Sequence, residues 1–149
     1  MSNSSKSVPA KRQAAILAIR LSVGAIFFME GTKKFLFPEQ WGAGRFTRIG
    51  IPAPHAMGPL VGAVEITCGL LVLLGLRTSL AAIPLLAVIS TAIATTKIPI
   101  LLKMGFWPME DAARTDYSML MALIFLLFAG SGSLSLDARL SRDKTTQDG

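Results

Sequence analysis

The sequence predicts an all-α membrane protein, folded as a four-transmembrane-helix bundle. Of its 149 residues, 52% are hydrophobic and 16% are charged, which is not the composition of a soluble domain. The apolar residues form four runs of about 20 residues, the length of a helix that crosses a bilayer. Four such spans use more than half of the chain, so no separate soluble domain fits between them.

The four predicted spans are separated by segments rich in proline, glycine and charge. They cover about residues 14–37, 57–76, 80–102 and 116–136. Pro38 ends the first span, because proline cannot continue a helix interior. Residues 1–13 are predicted to form a polar N-terminal tail, and residues 137–149 a charged C-terminal tail without fixed structure.

Two connections, residues 39–56 and 103–115, mix charged and aromatic side chains. Trp41, Trp107 and Tyr117, in or next to them, are typical of residues that anchor a chain at the membrane interface. We therefore expect both connections to lie at the bilayer surface, outside the spans.

The formal net charge of +6 comes mostly from Lys and Arg in the tails and connections. This distribution is typical of membrane topology signals and argues against nucleic-acid binding. Four spans place both termini on one side. If Lys33, Lys34 and Lys97 are drawn into the bundle, the positive-inside rule predicts cytoplasmic termini in a bacterial-type inner membrane.

The single cysteine, Cys68, excludes an intrachain disulfide and a CxxC redox pair. The single histidine, His55, has no second metal-ligand candidate near it in the sequence, so no metal site is predicted. Any redox chemistry would therefore need a cofactor or a partner protein.

Charged residues within or beside the predicted spans are the candidates for a functional site. A lone charge in hydrocarbon costs about 2.5–3.5 kcal/mol on insertion scales, so each needs a partner or water. All fall in the half of the bilayer away from the termini, which predicts one shared polar cluster. The candidates are Glu65, Lys97, Glu30, Lys33, Arg114 and Asp116.

The spacing of these residues predicts how they pair. Glu30 and Lys34, four residues apart, can pair within one helix. Glu65 has no such local partner, so we expect it to pair across the bundle, with Lys97 as the first choice and Lys33 or Arg114 as alternatives.

Glu65 shares one helix face with Gly58, Gly62 and Gly69. Small residues let a neighbouring helix approach closely, so this face should point into the bundle. Glu65 is then either a buried contact that fixes helix register or a ligand or proton site. Thr91 and Thr95 could line the same cavity, although such hydroxyls usually bond to their own helix backbone.

The order of several short motifs resembles that of the DoxX family of small four-helix membrane proteins. The resemblance covers about residues 16–140. It rests on Arg20, Gly24, Gly31-Thr32-Lys33-Lys34-Phe35, Gly62-Ala63-Val64-Glu65, Gly69-Leu70-Leu71, Gly75-Leu76, Lys97, Gly105-Phe106-Trp107, Arg114-Thr115-Asp116 and Ser135-Leu136-Asp137. It implies a four-helix fold. Some relatives are described as subunits of a thiosulfate:quinone oxidoreductase, others as partners in membrane thiol and oxidative-stress systems.

Three functions are consistent with these features. The preferred hypothesis is an accessory subunit of a redox system that binds a quinone or similar ligand in a polar intramembrane cavity. Glu65 would accept or relay a proton, while Lys97 and Arg114 would hold a ligand oxygen. The alternatives are a small-solute permease or exporter subunit, and a structural scaffold for a partner complex.

Overall fold

A computed structural model describes residues 10–147 of the chain. In chain order its helices are α1 (Ala10–Leu36), α2 (Pro38–Trp41), α3 (Ala43–Arg48), α4 (Pro54–Leu74), α5 (Thr78–Ala92), α6 (Ile98–Met104), α7 (Phe106–Ala129) and α8 (Leu136–Gln147). A π turn, Ile93–Lys97, joins α5 to α6. Four helical segments, α1, α4, the continuous Thr78–Met104 and α7, are long and apolar enough to cross a membrane. The all-α fold with four spans is confirmed.

The four long segments run alternately up and down and form a closed ring. α1 packs most extensively on α4, α4 packs on α5, α5 packs on α7, and α7 closes the ring against α1. The start of α1, the α4–α5 turn and α8 lie at one end, here called the terminal end. The short helices α2 and α3 and the α6–α7 turn lie at the other, here called the cap end.

The apolar core occupies the half of the ring nearer the terminal end. Its α1 members reach only to Phe27, and its α7 members begin only at Met119. The buried apolar side chains of the cluster are Ile16, Val23, Phe27, Val72, Ala81, Ala82, Leu85, Ile89, Met119, Leu123 and Leu126. The half nearer the cap end is where the sequence places most of its intramembrane charges.

The helix of the fourth span begins about three turns before residue 116, the predicted start of that span. α7 begins at Phe106, so residues 103–115 are almost wholly helical, with a turn at Gly105, whose φ is +90°. Pro108 lies in the first turn, where its missing N–H costs no hydrogen bond. The helix ends at Ala129 and not at 136, because Gly130 (φ +71°) turns the chain.

The C-terminal segment is also more ordered than the sequence suggested. Residues 136–147 form α8, whose N-terminus is capped by Ser135: the Ala138 N–H donates to its Oγ at 3.2 Å. The Asp137 carboxylate accepts the Arg77 N–H at 2.8 Å and so ties α8 to the α4–α5 turn. At the other terminus α1 begins at Ala10, within the predicted tail; residues 1–9, 148 and 149 lie outside the described residues.

The third span continues past Pro99 through the π turn. The Ile98 N–H donates to the Ile93 carbonyl five residues back, which accommodates one extra residue in the turn. Thr91 and Thr95 donate to the carbonyls of Ala87 and Thr91, each at 2.8 Å. Their hydroxyl protons are therefore bonded within their own helix, the usual arrangement that the sequence analysis also named.

Candidate functional site

Two glycine contacts hold α1 and α4 close together. A Cβ added to Gly31 would lie 2.6 Å from the Gly62 carbonyl oxygen, and one added to Gly24 would lie 2.8 Å from the Gly69 carbonyl oxygen. Side chains at these positions would therefore force the helices apart. Gly62 and Gly69 are buried on α4 with Glu65, as predicted.

Gly58 lies on the same buried face of α4 but faces a different element. A Cβ added there would lie 2.8 Å from the backbone nitrogen of Ala43 in α3. The glycine face thus has two functions: it joins α4 to α1 over most of its length and seats the α2–α3 segment at the cap end.

Glu65 pairs with Lys34 of α1. The Lys34 Nζ lies 2.6 Å from the Glu65 Oε2, and the two side chains are 11% and 5% exposed. Gly31 lies at the same height in the bundle as Glu65, because a Cβ added to Gly31 would touch the Glu65 Cβ. Lys34 is three residues further along α1, so its backbone lies roughly 5 Å nearer the cap end than that of Glu65. Helical side chains lean toward their own N-terminus. In antiparallel α1 and α4 this brings the ammonium and the carboxylate together.

This geometry corrects two predicted pairings. Glu65 does not pair with Lys97, its expected first partner. Lys34 contacts Glu30 only through the Glu30 backbone carbonyl, at 3.5 Å. The Glu30 carboxylate instead binds Lys33 at 2.5 Å, three residues away, and both side chains are more than one-third exposed. Lys34 is thus a site residue that the sequence analysis assigned to the wrong partner.

Lys97 binds Asp116 of α7, with the Nζ and Oδ2 atoms 3.0 Å apart. The two side chains are 14% and 23% exposed, so this pair is less enclosed than Lys34–Glu65. Arg114, which was also expected here, binds Asp111 at 2.6 Å on an exposed surface of α7. The six candidates therefore do not form one directly bonded cluster. Glu30, Lys33 and Glu65 lie with Lys34 on the α1–α4 side of the ring. Lys97 and Asp116 pair on the side of α7, and Arg114 belongs to neither group.

The α2–α3 segment covers the Lys34–Glu65 pair at the cap end. Phe46 of α3 is buried, and a Cβ added to Gly42 would lie 2.7 Å from the Lys34 carbonyl oxygen. The Trp41 ring stacks under the Lys33 ammonium, 4.7 Å from the ring centroid. Water reaching the pair from that end must pass this segment.

Arg20 is a buried charged residue whose role the sequence analysis did not assign. It is 3% exposed and donates to the carbonyls of Ser131 at 2.5 Å and Leu134 at 2.9 Å. These two hydrogen bonds connect α1 to the segment that follows α7, at the terminal end. An arginine within an apolar run was the available signal, but its partners lie more than 100 residues away.

Two grooves lie on the surface of the described residues. One, of about 370 Å³, runs between α1 and α7 beside Ser22 and Ser118. The other, of about 470 Å³, lies at the terminal end between α8 and the α4–α5 turn. Neither groove is lined by a residue of the Glu30–Lys33, Lys34–Glu65 or Lys97–Asp116 pairs. Residues 10–147 hold no group of three or more His, Cys, Asp or Glu placed to bind a metal.

The chain was compared with known proteins. It is 53% identical over 137 residues to the uncharacterized membrane protein Rv3486 of Mycobacterium tuberculosis, an alignment that covers 88% of this chain and 84% of the relative. It is 32% identical over 131 residues to a Bacillus subtilis protein named "Putative oxidoreductase CatD", covering 86% of this chain and 88% of that one. No solved structure shows significant similarity. The DoxX family model matches residues 15–98, more than half of the chain, and the chain therefore belongs to the DoxX family.

Proposed function

We propose that this DoxX protein is an accessory membrane subunit of a quinone-linked or thiol redox system, and that Lys34 and Glu65 form its ligand- and proton-handling site. The observation that carries the proposal is an ion pair inside a membrane span whose two side chains are both nearly buried. A relative that shares most of its length with this chain bears the name "Putative oxidoreductase CatD", which supports the redox class.

The energetic cost of the pair argues for a role beyond packing. Removing two charges from water costs several kcal/mol per ion, and apolar residues of similar volume often stabilise a protein as well or better. The glycine contacts already fix the register of α1 against α4. A charged pair retained at this place is therefore better explained by binding or proton transfer.

The residues fit the head group of a quinone. The Lys34 ammonium has three N–H donors; Glu65 accepts one, and the Glu30 carbonyl at 3.5 Å is only a weak acceptor for another. A donor thus remains for a ligand carbonyl oxygen. A bound quinone would carry electrons and protons between membrane partners. Within this chain, Lys34 would orient the oxygen and Glu65 would hold or accept the proton.

The electrons must come from a partner, because the chain has a single cysteine and so lacks a dithiol pair. Arg114 is not part of the proposed site, since it binds Asp111 on the surface. In our proposal Lys34 takes the role that the sequence analysis gave to Arg114, which is to hold a ligand oxygen.

Quinone retention tests the proposal. The protein is extracted into lipid nanodiscs from native membranes, and bound quinone is measured by mass spectrometry per mole of chain. Wild type and Asp111→Asn, which removes an exposed charge from the Arg114 pair, should retain it. Glu65→Gln and Lys34→Met should lose it while remaining folded.

Absence of quinone from wild-type protein, with no thermal shift on adding decylubiquinone, would refute the proposal. Uptake of a charged solute by proteoliposomes under the same conditions would favour a permease subunit. If neither is found and a partner complex dissociates when the chain is removed, the scaffold interpretation is correct.

A further inference from the structure

The second ion pair, Lys97–Asp116, has no function in the site described so far. We propose that it lines the same ligand site from the side opposite Lys34–Glu65, so that the two pairs form the two walls of the site. We also propose that the π turn directs the Lys97 side chain into that site. This inference rests on the proposed function, because it concerns the same ligand. It assigns the ligand's second polar contact to Lys97 and Asp116.

Asp116 continues the inward face of α7. The buried residues of that helix are Met119, Leu123 and Leu126. Asp116 lies three residues before Met119, which places it on the same face, one turn nearer the cap end. It is also less exposed than its neighbour Tyr117, which is 61% exposed.

Lys97 reaches the inward face of the third span only because of the π turn. The last buried residue of α5 is Ile89, eight residues earlier. Eight residues of regular α-helix would leave Lys97 about 80° away from the direction of Ile89. The π turn holds one extra residue, which removes most of this rotation. Its effect is to bring Lys97 to the face that meets Asp116.

The two ion pairs lie at ring contacts that share no helix, in the part of the ring that the buried apolar cluster does not fill. Lys34–Glu65 lies between α1 and α4, and Lys97–Asp116 lies between the π turn and α7. Each helix packs on its two ring neighbours, so these two contacts face each other across the ring. The apolar core lies toward the terminal end from both pairs.

On the cap side of Lys97–Asp116 the protein covers its own side chains incompletely. No residue of the π turn or α6 is buried, and none of residues 106–118 in α7 is buried. The α2–α3 segment packs on α1 and α4 and does not enclose the α6–α7 side. In the proposed site, the ligand would enter between the two walls from this side, while the α2–α3 segment covers the Lys34–Glu65 wall.

The charges define the ligand class. Each wall offers one ammonium and one carboxylate, so the two walls together are neutral. Such an arrangement suits an uncharged ring with an oxygen at each end better than a small ion. One ligand oxygen would face Lys34, and the other would face Lys97.

Binding of decylubiquinone to nanodisc-reconstituted full-length protein tests this inference. Lys97→Met should weaken binding about ten- to hundredfold, the range expected for a lost hydrogen bond to a charged group. Lys103→Met, which removes an exposed lysine from the same end of the third span, should change it less than twofold. Lys97→Arg keeps a donor and should recover part of the affinity.

A variant that moves the lysine by one residue, here called the shift variant, tests whether the direction of its side chain matters, at constant net charge. The double substitution Thr96→Lys and Lys97→Thr keeps the composition but moves the ammonium about 100° around the helix. It should bind as weakly as Lys97→Met, and the thermal shift caused by decylubiquinone should disappear in both. Asp116→Asn gives an independent second variant if either fails to fold.

The outcomes distinguish this inference from the proposed function. Loss of binding with Lys34→Met but not with Lys97→Met, Asp116→Asn or the shift variant would overturn the second wall and leave the proposed function standing. No binding by wild type would overturn both. Weakened binding in both sets, with Lys103→Met unaffected, would establish the two-walled site.

Discussion

Lys34 and Glu65 meet although their backbones lie at different levels of α1 and α4. Their charged atoms are 2.6 Å apart, and both side chains are nearly buried. The contact depends on the antiparallel direction of the two helices, in which each side chain leans toward the other. It also depends on Gly31 and Gly62, which allow the two backbones to approach closely.

Removing one partner of this pair should destabilise the protein more than removing both. A buried charge without its partner costs about 3–5 kcal/mol in soluble proteins. Glu65→Gln and Lys34→Met should therefore each lower the melting temperature in detergent, and the double variant should recover part of the loss. A double variant showing the plain sum of the two losses would exclude the pair.

The control for this double-mutant cycle is a second cycle on Glu65 and Lys97, the pair expected from the sequence. Glu65 and Lys97 belong to different ion pairs on opposite sides of the ring. Glu65→Gln and Lys97→Met should therefore be additive within about 0.5 kcal/mol, as distant sites usually are. A coupling larger than that would mean that the two walls exchange partners in the membrane.

The glycine face of α4 should tolerate no bulk. A Cβ added to Gly62 would lie 2.9 Å from the Phe35 ring and 3.3 Å from the Gly31 carbonyl oxygen. Gly62→Leu should therefore destabilise the bundle by about 1–3 kcal/mol or more, as overpacking does. Ala63→Leu adds bulk on an exposed face and serves as the control. Equal melting temperatures would show that α1 and α4 do not pack through this face.

The sequence predicted the four spans and the glycine face because both depend on local patterns. Apolar length predicts a span, and the three- and four-residue spacing from Gly58 to Gly69 predicts a shared helix face. The boundaries were less accurate. Residues 106–115 combine Trp107 with Glu110, Asp111 and Arg114, a mixture that looks interfacial in composition although the segment is helical.

The sequence predicted that a polar site lies within the spans, but it did not predict which charged residues pair there. Charges inside spans indicated a polar site, but partner choice depends on the register of α1 against α4 and on the direction of each side chain. Lys34 was assigned to Glu30 on four-residue spacing, whereas Lys33 takes that carboxylate at three-residue spacing. The π turn that ends at Lys97 depends on hydrogen bonding that the sequence analysis did not predict.

Both termini should face the cytoplasm, with α2 and α3 on the other side. Cysteines introduced as Thr47→Cys and Asp143→Cys in a Cys68→Ser background test this in intact cells, because positions 47 and 143 are exposed. An impermeant maleimide should label position 47 in intact cells and position 143 only after lysis. The reverse pattern would invert the orientation, and labelling of both in intact cells would contradict an even number of spans.

Arg20 should be required for docking of the segment after α7. It donates to the carbonyls of Ser131 and Leu134 from a buried position on α1. A hydrogen bond to a charged group contributes about 1.5–3 kcal/mol, so Arg20→Met should lower stability by roughly that much. It should also speed amide hydrogen exchange in residues 131–140. Arg20→Lys should recover little, because a single ammonium does not reproduce the two separated donors of a guanidinium.

Two further variants distinguish the effect of the two Arg20 hydrogen bonds from the effect of its positive charge. Arg12→Met removes an exposed arginine of the same helix and should change stability by less than about 0.5 kcal/mol. Gly75→Ala keeps every charge, but its Cβ would lie 2.5 Å from an Arg20 guanidinium nitrogen, and its φ of +71° also disfavours alanine. It should therefore reproduce the faster exchange of residues 131–140. If Arg20→Lys behaves like wild type while Gly75→Ala leaves exchange unchanged, the positive charge matters and the two hydrogen bonds do not.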